Sequence, residues 1–143
     1  MTNVRHATTL PGSSEKRKEY PILEGVLGYF PAAIARLARH SFRGNQKHNK
    51  GEPLHHARGK SSDHGSCIIR HLMDIADLRA AMARGQKDIL NYTAPDGVVH
   101  ESYPLVEAIL EEHDALVWRS CALSQEANEL LVSAPLAPFA RLG

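Results

Sequence analysis

The sequence predicts an all-α protein. Apolar residues make up 43% of its 143 positions and aromatic residues only 6%, so the core must be built mainly from Leu, Ile, Val and Ala. Three long segments carry apolar residues at helical spacing, and Pro, Gly or Ser residues bound each of them. We expect a flexible N-terminal arm over residues 1–19, one helical domain over 20–134 and a C-terminal tail over 135–143.

The first long helix is predicted to begin at Pro31 and to end at Gly44, because proline suits a first helical position and glycine is typical of a helix end. Apolar residues recur along it with the spacing of one buried stripe. They are Ile34, Leu37, Ala38 and Phe42. Residues 20–30 are apolar but interrupted by glycines, which is compatible with a short helix or with an extended lead-in.

A second helix is predicted to start after Ser61 or Ser62, either of which can cap it, and to run to about Arg84. Gly85 follows as a stop signal. Its predicted buried stripe consists of Ile68, Leu72, Ile75 and Leu78.

Residues 85–103 are predicted to form a short irregular or hairpin insertion, because Pro95, Asp96 and Gly97 mark a turn between β-prone pieces. Pro104 then opens the longest helix, which Pro135 ends. Its predicted apolar anchors are Leu105, Ile109, Leu116, Cys121, Leu123, Leu130 and Leu131. Three long helices are one fewer than a four-helix bundle needs, so the fourth would come from residues 21–27 or from a neighbouring subunit.

The charge balance bounds the class of partner. A formal net charge of +1 argues against a general nucleic-acid or membrane-surface binder, which would carry a marked basic excess. No apolar run approaches the length of about 18 residues that a bilayer requires. Cys67 and Cys121 lie far apart in apolar helical context, which predicts buried, reduced thiols and a cytoplasmic protein.

Between Gly44 and His64 the sequence reads GNQKHNKGEPLHHARGKSSDH, a polar tract with four histidines. The histidine spacing matches no zinc motif, and no phosphate-loop signature is present. Lysine and arginine side chains can instead bind phosphate oxygens, and asparagine amides can bind a base or a sugar. The predicted nucleotide-binding residues are Asn45, Lys47, His48, Asn49, Arg58 and Lys60.

Carboxylate pairs stand on the two helices that follow. Asp74 and Asp77 share a face of the second helix, and Glu111 and Asp114 have the same spacing on the third. Two such pairs could enclose one or two Mg²⁺ ions, because hard cations bind several oxygens at once. His71 lies three residues before Asp74, and we predict catalytic roles for both, with His71 as a ligand or as the group that orients a metal-bound water.

The runs FPAAIARLARHSFRGNQKHNKGEPLHHARGKSSDH, CIIRHLMD and VWRSCALSQE resemble the phage and prophage dATP/dGTP diphosphohydrolase domain, a relative of the all-α MazG-type nucleotide pyrophosphohydrolases. The resemblance implies a MazG-like helical bundle completed by homo-oligomerisation, as a dimer or tetramer. It also implies Mg²⁺- or Mn²⁺-dependent cleavage between the α and β phosphates of a nucleotide.

In the MazG group the metal ligands are an ExxE pair on one helix and an ExxD pair on the next. Glu111 and Asp114 match the second pair, whereas Asp74 and Asp77 match the first in modified form. Glu107 or Glu112 could replace Glu111 and Asp114, because the insertion leaves the register of the last helix open.

The leading functional hypothesis is a metal-dependent pyrophosphohydrolase that converts a (d)NTP, a purine nucleotide such as dGTP or dATP, to the monophosphate and pyrophosphate. The alternative is a catalytically inactive nucleotide-binding or partner-binding module on the same fold. A nucleic-acid accessory protein that uses the central basic stretch is a third hypothesis, and the balanced net charge disfavours it.

Overall fold

The computed structural model describes residues 9–56 and 61–133. The chain divides into two compact units, Met1–Ala35 and Arg36–Gly143. Helix α2 begins in the first unit and ends in the second. The predicted C-terminal tail lies outside the described residues.

The first unit contains a short helix and a π-helical segment. Helix α1 spans Ser14–Arg17, inside the predicted arm, and the Ser13 hydroxyl caps it by accepting from the backbone N–H of Lys16 at 3.2 Å. The π-helical segment spans Leu23–Leu27. Neither element contains a buried residue, so neither forms a core of its own.

The second unit is built on two long helices and a hairpin. Helix α3 spans His64–Ala83, strands β1 and β2 span Asp88–Thr93 and Val99–Pro104, and helix α4 spans Leu105–Ser133. The strands pair antiparallel. The protein is therefore mostly helical, and the hairpin predicted between the last two long helices is confirmed.

Helices α3 and α4 pack antiparallel. His64 at the start of α3 contacts Glu126 late in α4, whereas His71 contacts Glu112 one to two turns from the hairpin end. Ala81 near the end of α3 packs with the first residues of α4 in the core. That core consists of Ala81, Leu105 and Ile109, with Leu78 and Ile89 against it.

The anchors predicted for α3 and α4 are confirmed only in part. Leu105 and Ile109 are buried, but Leu72 of the predicted α3 stripe is 50% exposed and Leu130 of α4 is 65% exposed. Cys67 is buried as predicted, whereas Cys121 is exposed, and both are free thiols. Each helix can bury only the part of its apolar surface that faces another element.

Helix α2 spans Pro31–His48 and passes through Gly44, where the sequence predicted its end. A glycine inside a helix costs only about 1 kcal/mol, which tertiary contacts can offset. Here the Asn45 side chain is buried and its Nδ2 donates to the carbonyl oxygen of Glu52 at 2.8 Å. The predicted apolar stripe is wrong in part, because Ile34 and Leu37 are half-buried whereas Ala38 and Phe42 are exposed.

None of the described helices has an apolar stretch long enough to span a bilayer.

Strand β1 of the hairpin is irregular at one position. Asn91 has a left-handed backbone (φ 52°), a conformation that asparagine tolerates better than most residues. The alternation of the strand breaks there, so Ile89 and Tyr92 are both half-buried although they are three residues apart.

Candidate functional site

Helix α4 carries four carboxylates within about two turns, and they serve two different neighbours. Glu107, Glu111 and Asp114 follow the i, i+4, i+7 spacing of one helix face and contact arginines of α2. Glu112 is turned away from that face and contacts α3. The same helix therefore presents an arginine-bound side and an α3 side.

Arg36 is fixed by two of the carboxylates. Its Nε donates to both oxygens of Asp114, at 2.9 and 3.0 Å, and its Nη2 donates to Glu107 at 3.0 Å. The hydrogen bond to Asp114 contributes most to raising the pKa of Arg36 above its ordinary value. Asp114, predicted as a metal ligand, is thus engaged by a guanidinium.

Glu111 is the most completely enclosed charged group of this region, with a residue exposure of 2%. Arg43 donates to it at 2.6 Å, and the hydroxyls of Tyr92 and Tyr103 each donate at 2.7 Å. Burial alone would raise the pKa of Glu111, but these three donors outweigh burial and hold it below its ordinary value. Glu111, also predicted as a metal ligand, therefore joins α2 and the hairpin to α4.

On the other side of α4, His71, Asp74 and Glu112 form a three-residue cluster. One potential ligand atom from each lies within 4.8 Å of the other two, and His71 Nδ1 is 2.6 Å from Glu112 Oε2. Among the described residues this is the group of histidine and acidic side chains close enough to share a metal ion. Asp74 is exposed, so the cluster is open to solvent on one side.

Burial and nearby negative charge act on the Glu112 carboxylate. Burial raises the pKa of Glu112, and the neighbouring charges of Asp74 and Glu111 add to this effect, whereas the hydrogen bond with His71 opposes it. Two carboxylates and one imidazole form a mixed oxygen and nitrogen ligand set. Such a set can hold Mg²⁺ or Mn²⁺ with water completing the coordination.

A cavity of about 450 Å³ lies where the end of α2 and the following loop meet α4. Three of the residues predicted to bind nucleotide line it, together with the single tryptophan of the chain. They are Asn45, His48, Asn49 and Trp118. The Trp118 indole donates to the Ser41 hydroxyl at 3.1 Å, and its ring centroid is 4.9 Å from that of His56.

Two buried polar atoms beside this cavity have no hydrogen-bond partner in the described part of the chain. They are Oδ1 of Asn45 and Nδ1 of His40, and both residues line the cavity. Burial lowers the pKa of His40, Asp114 opposes that shift, and the charge of His71 adds to it. His40 therefore lies within electrostatic range of both sides of α4, although none of the three cluster residues lines the cavity.

The other predicted site residues lie elsewhere. Lys47 is exposed, and its aliphatic stem packs along the hairpin turn at Gly97. Asp77 is exposed one turn beyond Asp74 and does not belong to the cluster. Arg58 and Lys60 lie outside the described residues.

The sequence offers Glu112 only as an alternative to Glu111 and Asp114, and it does not predict that these two residues have arginine partners. A weak signal was present, because the spacing of Arg36, Arg39 and Arg43 places them on one face of α2. Spacing does not give the observed pairs, since Arg36 contacts both Glu107 and Asp114, whereas Arg43 contacts Glu111. The tyrosines of the hairpin gave no comparable signal, since their position depends on strand register.

Comparisons with protein-family models, curated proteins and solved structures give no match to this chain.

Proposed function

We propose that this protein is a metal-dependent nucleoside triphosphate pyrophosphohydrolase. Its substrate would be a (d)NTP, a purine nucleotide such as dGTP or dATP, and its products the monophosphate and pyrophosphate. The observation that carries the proposal is the His71, Asp74 and Glu112 cluster, and a separate cavity lined by Trp118 and by three of the residues predicted to bind nucleotide supports it. The sequence resemblance to the dATP/dGTP diphosphohydrolase domain, on a MazG-like fold, supports the same reading.

In this proposal His71, Asp74 and Glu112 hold Mg²⁺ or Mn²⁺. A divalent ion there supplies positive charge to phosphate oxygens and lowers the pKa of a bound water. Glu112 must be ionised to serve, and the burial that raises its pKa means that a cation rather than solvent would stabilise its charge. His71 Nδ1 is 2.6 Å from Glu112 Oε2, so its other ring nitrogen would either bind the ion or orient a metal-bound water.

The nucleoside part would occupy the cavity beside Trp118. Asn45 is held by its Nδ2, which donates to Glu52, so its Oδ1 remains to accept a hydrogen bond from an N–H of a base. Trp118 offers an aromatic ring to a purine. Lys47 and, from the sequence, Arg58 and Lys60 would neutralise the phosphates.

The alternative is a nucleotide-binding or partner-binding module without catalysis. It is favoured by the arginines that neutralise Glu111 and Asp114, because two of the four carboxylates predicted to bind metal are thereby occupied. Under this alternative the cavity would bind nucleotide and no pyrophosphate would be released.

The test of catalysis is the product profile. Purified protein is incubated with each dNTP and either Mg²⁺ or Mn²⁺, and the monophosphate and pyrophosphate are quantified. We expect turnover of at least one purine nucleotide and a loss of about 100-fold in Asp74→Asn. Glu101→Gln, an exposed hairpin change, is the matched control and should retain full turnover.

The test of binding uses the intrinsic fluorescence of Trp118, the single tryptophan. Titration with a purine nucleotide without metal should change its emission, and Asn45→Ala should weaken that response. Binding without turnover would favour the inactive module. Neither binding nor turnover with any nucleotide would overturn the pyrophosphohydrolase and the nucleotide-binding module, and would leave the partner-binding module.

We also propose that the protein is cytoplasmic, where its nucleotide substrates are found, and that it acts as a homo-oligomer, a dimer or tetramer. Large apolar residues that remain exposed in the second unit are compatible with this arrangement.

A further inference from the structure

Helix α3 is apolar on two opposite faces. One face packs against α4 and includes the buried residues Cys67, Ile75 and Ala81. The opposite face is exposed and contains only apolar or small residues. We call it the outer face of α3, and it consists of Gly65, Ile69, Leu72, Met73, Ala76, Ala80 and Ala83.

The exposed apolar area of this face is concentrated in its larger side chains. Ile69 is 60% exposed, Leu72 50% and Met73 62%. Together with Ala76 and Ala80 they follow the i, i+3, i+4, i+7, i+11 spacing of one helix stripe. A helix that is apolar on both faces is typical of one packed between two neighbours, and α4 supplies only one of them.

The outer face is complementary to itself when two copies lie antiparallel. Its first half carries the large residues Ile69, Leu72 and Met73, whereas its second half carries the alanines at positions 76, 80 and 83. Reversing one helix about a centre between Met73 and Asp74 therefore places Ile69 and Leu72 of each copy level with the alanines of the other, and the two Met73 side chains meet at the centre. Small residues opposite large ones allow the close approach of about 8 to 10 Å that helix packing requires.

The charges along one edge of the outer face match the same arrangement. Arg70 and Asp77 are seven residues apart and lie on the same edge of α3, and both are exposed. In an antiparallel pair centred between Met73 and Asp74, Arg70 of each copy lies level with Asp77 of the other. The five N–H donors of a guanidinium allow Arg70 to keep its own contacts, 3.1 Å to Cys67 Sγ and 3.5 Å to Asp63 Oδ2.

We propose that a second copy of this chain docks on the outer face of α3, with the two α3 helices antiparallel about a two-fold axis and two Arg70 to Asp77 ion pairs between copies. Such a contact is isologous and closes at a dimer. His71 and Asp74 project toward the α4 side of the helix, so each copy keeps its own cluster accessible. The surface is independent of catalysis, and a dimer without turnover would leave this proposal intact.

The first experiment measures the mass of the full chain by light scattering after size exclusion, over a range of concentrations. We expect a dimer in the unmodified protein and a monomer in Met73→Glu, because the substitution places two carboxylates near the two-fold axis. Leu90→Glu is the matched control, since Leu90 is 71% exposed on β1 and lies off the outer face. Circular dichroism and thermal unfolding of both variants establish that the fold persists.

A charge exchange then tests the orientation and the register. Arg70→Asp and Asp77→Arg should each raise the dimer dissociation constant by about tenfold, because each places like charges opposite one another. The double variant should return it to within about threefold of the unmodified value. A monomer at every concentration, a dimer that survives Met73→Glu, or a double variant no tighter than the single ones would overturn the proposal.

Discussion

Glu111 and Glu112 are adjacent in the sequence, yet they lie in opposite environments. Glu111 accepts hydrogen bonds from Arg43, Tyr92 and Tyr103, and these donors hold its pKa below the ordinary value. Burial raises the pKa of Glu112, the negative charges of Asp74 and Glu111 add to this shift, and the hydrogen bond with His71 opposes it. One residue therefore has its charge satisfied by the fold, whereas the other remains available to an external cation.

Two consecutive residues of one helix can therefore contact different neighbours and differ in whether the fold satisfies their charge. Consecutive residues point about 100° apart, so Glu111 faces α2 and the hairpin while Glu112 faces α3. On the arginine side of α4, three arginines of α2 pair with three carboxylates, since Arg36, Arg39 and Arg43 contact Glu107, Glu111 and Asp114. On the α3 side two carboxylates and a histidine converge without an arginine among their described contacts.

The largest effect is expected from Glu111→Ala. The substitution leaves the Arg43 charge and two tyrosine hydroxyls without their acceptor, which should lower the free energy of unfolding by about 3 to 5 kcal/mol. Denaturant unfolding measures this value, with Glu101→Ala as an exposed control. A loss below about 1 kcal/mol would mean that Glu111 does not hold these elements together.

Glu112→Gln should produce the converse result. We expect Mn²⁺ affinity, measured by calorimetry, to fall by about 100-fold while the free energy of unfolding changes little, because burial disfavours the charge that is removed. Unchanged Mn²⁺ affinity in this variant would move the metal site away from the cluster.

Removing single donors to Glu111 should have smaller effects. Tyr92→Phe and Tyr103→Phe each delete one hydrogen bond to a charged acceptor, and we expect each to cost about 1 to 2 kcal/mol of unfolding free energy. The double variant should lower the free energy of unfolding by less than the sum of the two single variants, because Arg43 still donates to Glu111. Metal affinity serves as the second readout and should be preserved in both single variants.

The smallest effect concerns the pH dependence of stability. Burial lowers the pKa of His40 below its usual 6.5, so the folded protein binds fewer protons there than the unfolded chain. The stability that depends on neutral His40 is therefore complete above 6.5 and is lost as the pH falls through the lower pKa of the folded state. Between about pH 7 and pH 5, the free energy of unfolding of His40→Gln should fall by less than that of the unmodified protein. His71 and the carboxylates are present in both proteins, so their contributions cancel in the difference.

Sequence patterns located the long helices and the insertion between the last two of them. They also selected His71 and Asp74 by their spacing on α3, and the structure places both in one cluster with Glu112. Spacing alone could not show which acidic residue of α4 joins them. That choice depends on the rotation of α4 against α3, which the core at Leu105 and Ile109 fixes.

Composition and local spacing were enough to predict the helical class, the position of the insertion that forms the hairpin, and the acidic, basic and histidine side chains proposed to bind metal and phosphate. These features follow from local spacing and composition, which need no knowledge of neighbours. Three other features follow from tertiary contacts. The arginines of α2 contact α4, and Gly44 lies inside the helix. Glu111 accepts hydrogen bonds from three side chains, whereas Glu112 remains available to an external cation. Each of these outcomes depends on long-range contacts between oppositely charged or buried polar groups, and helical periodicity carries no information about such partners.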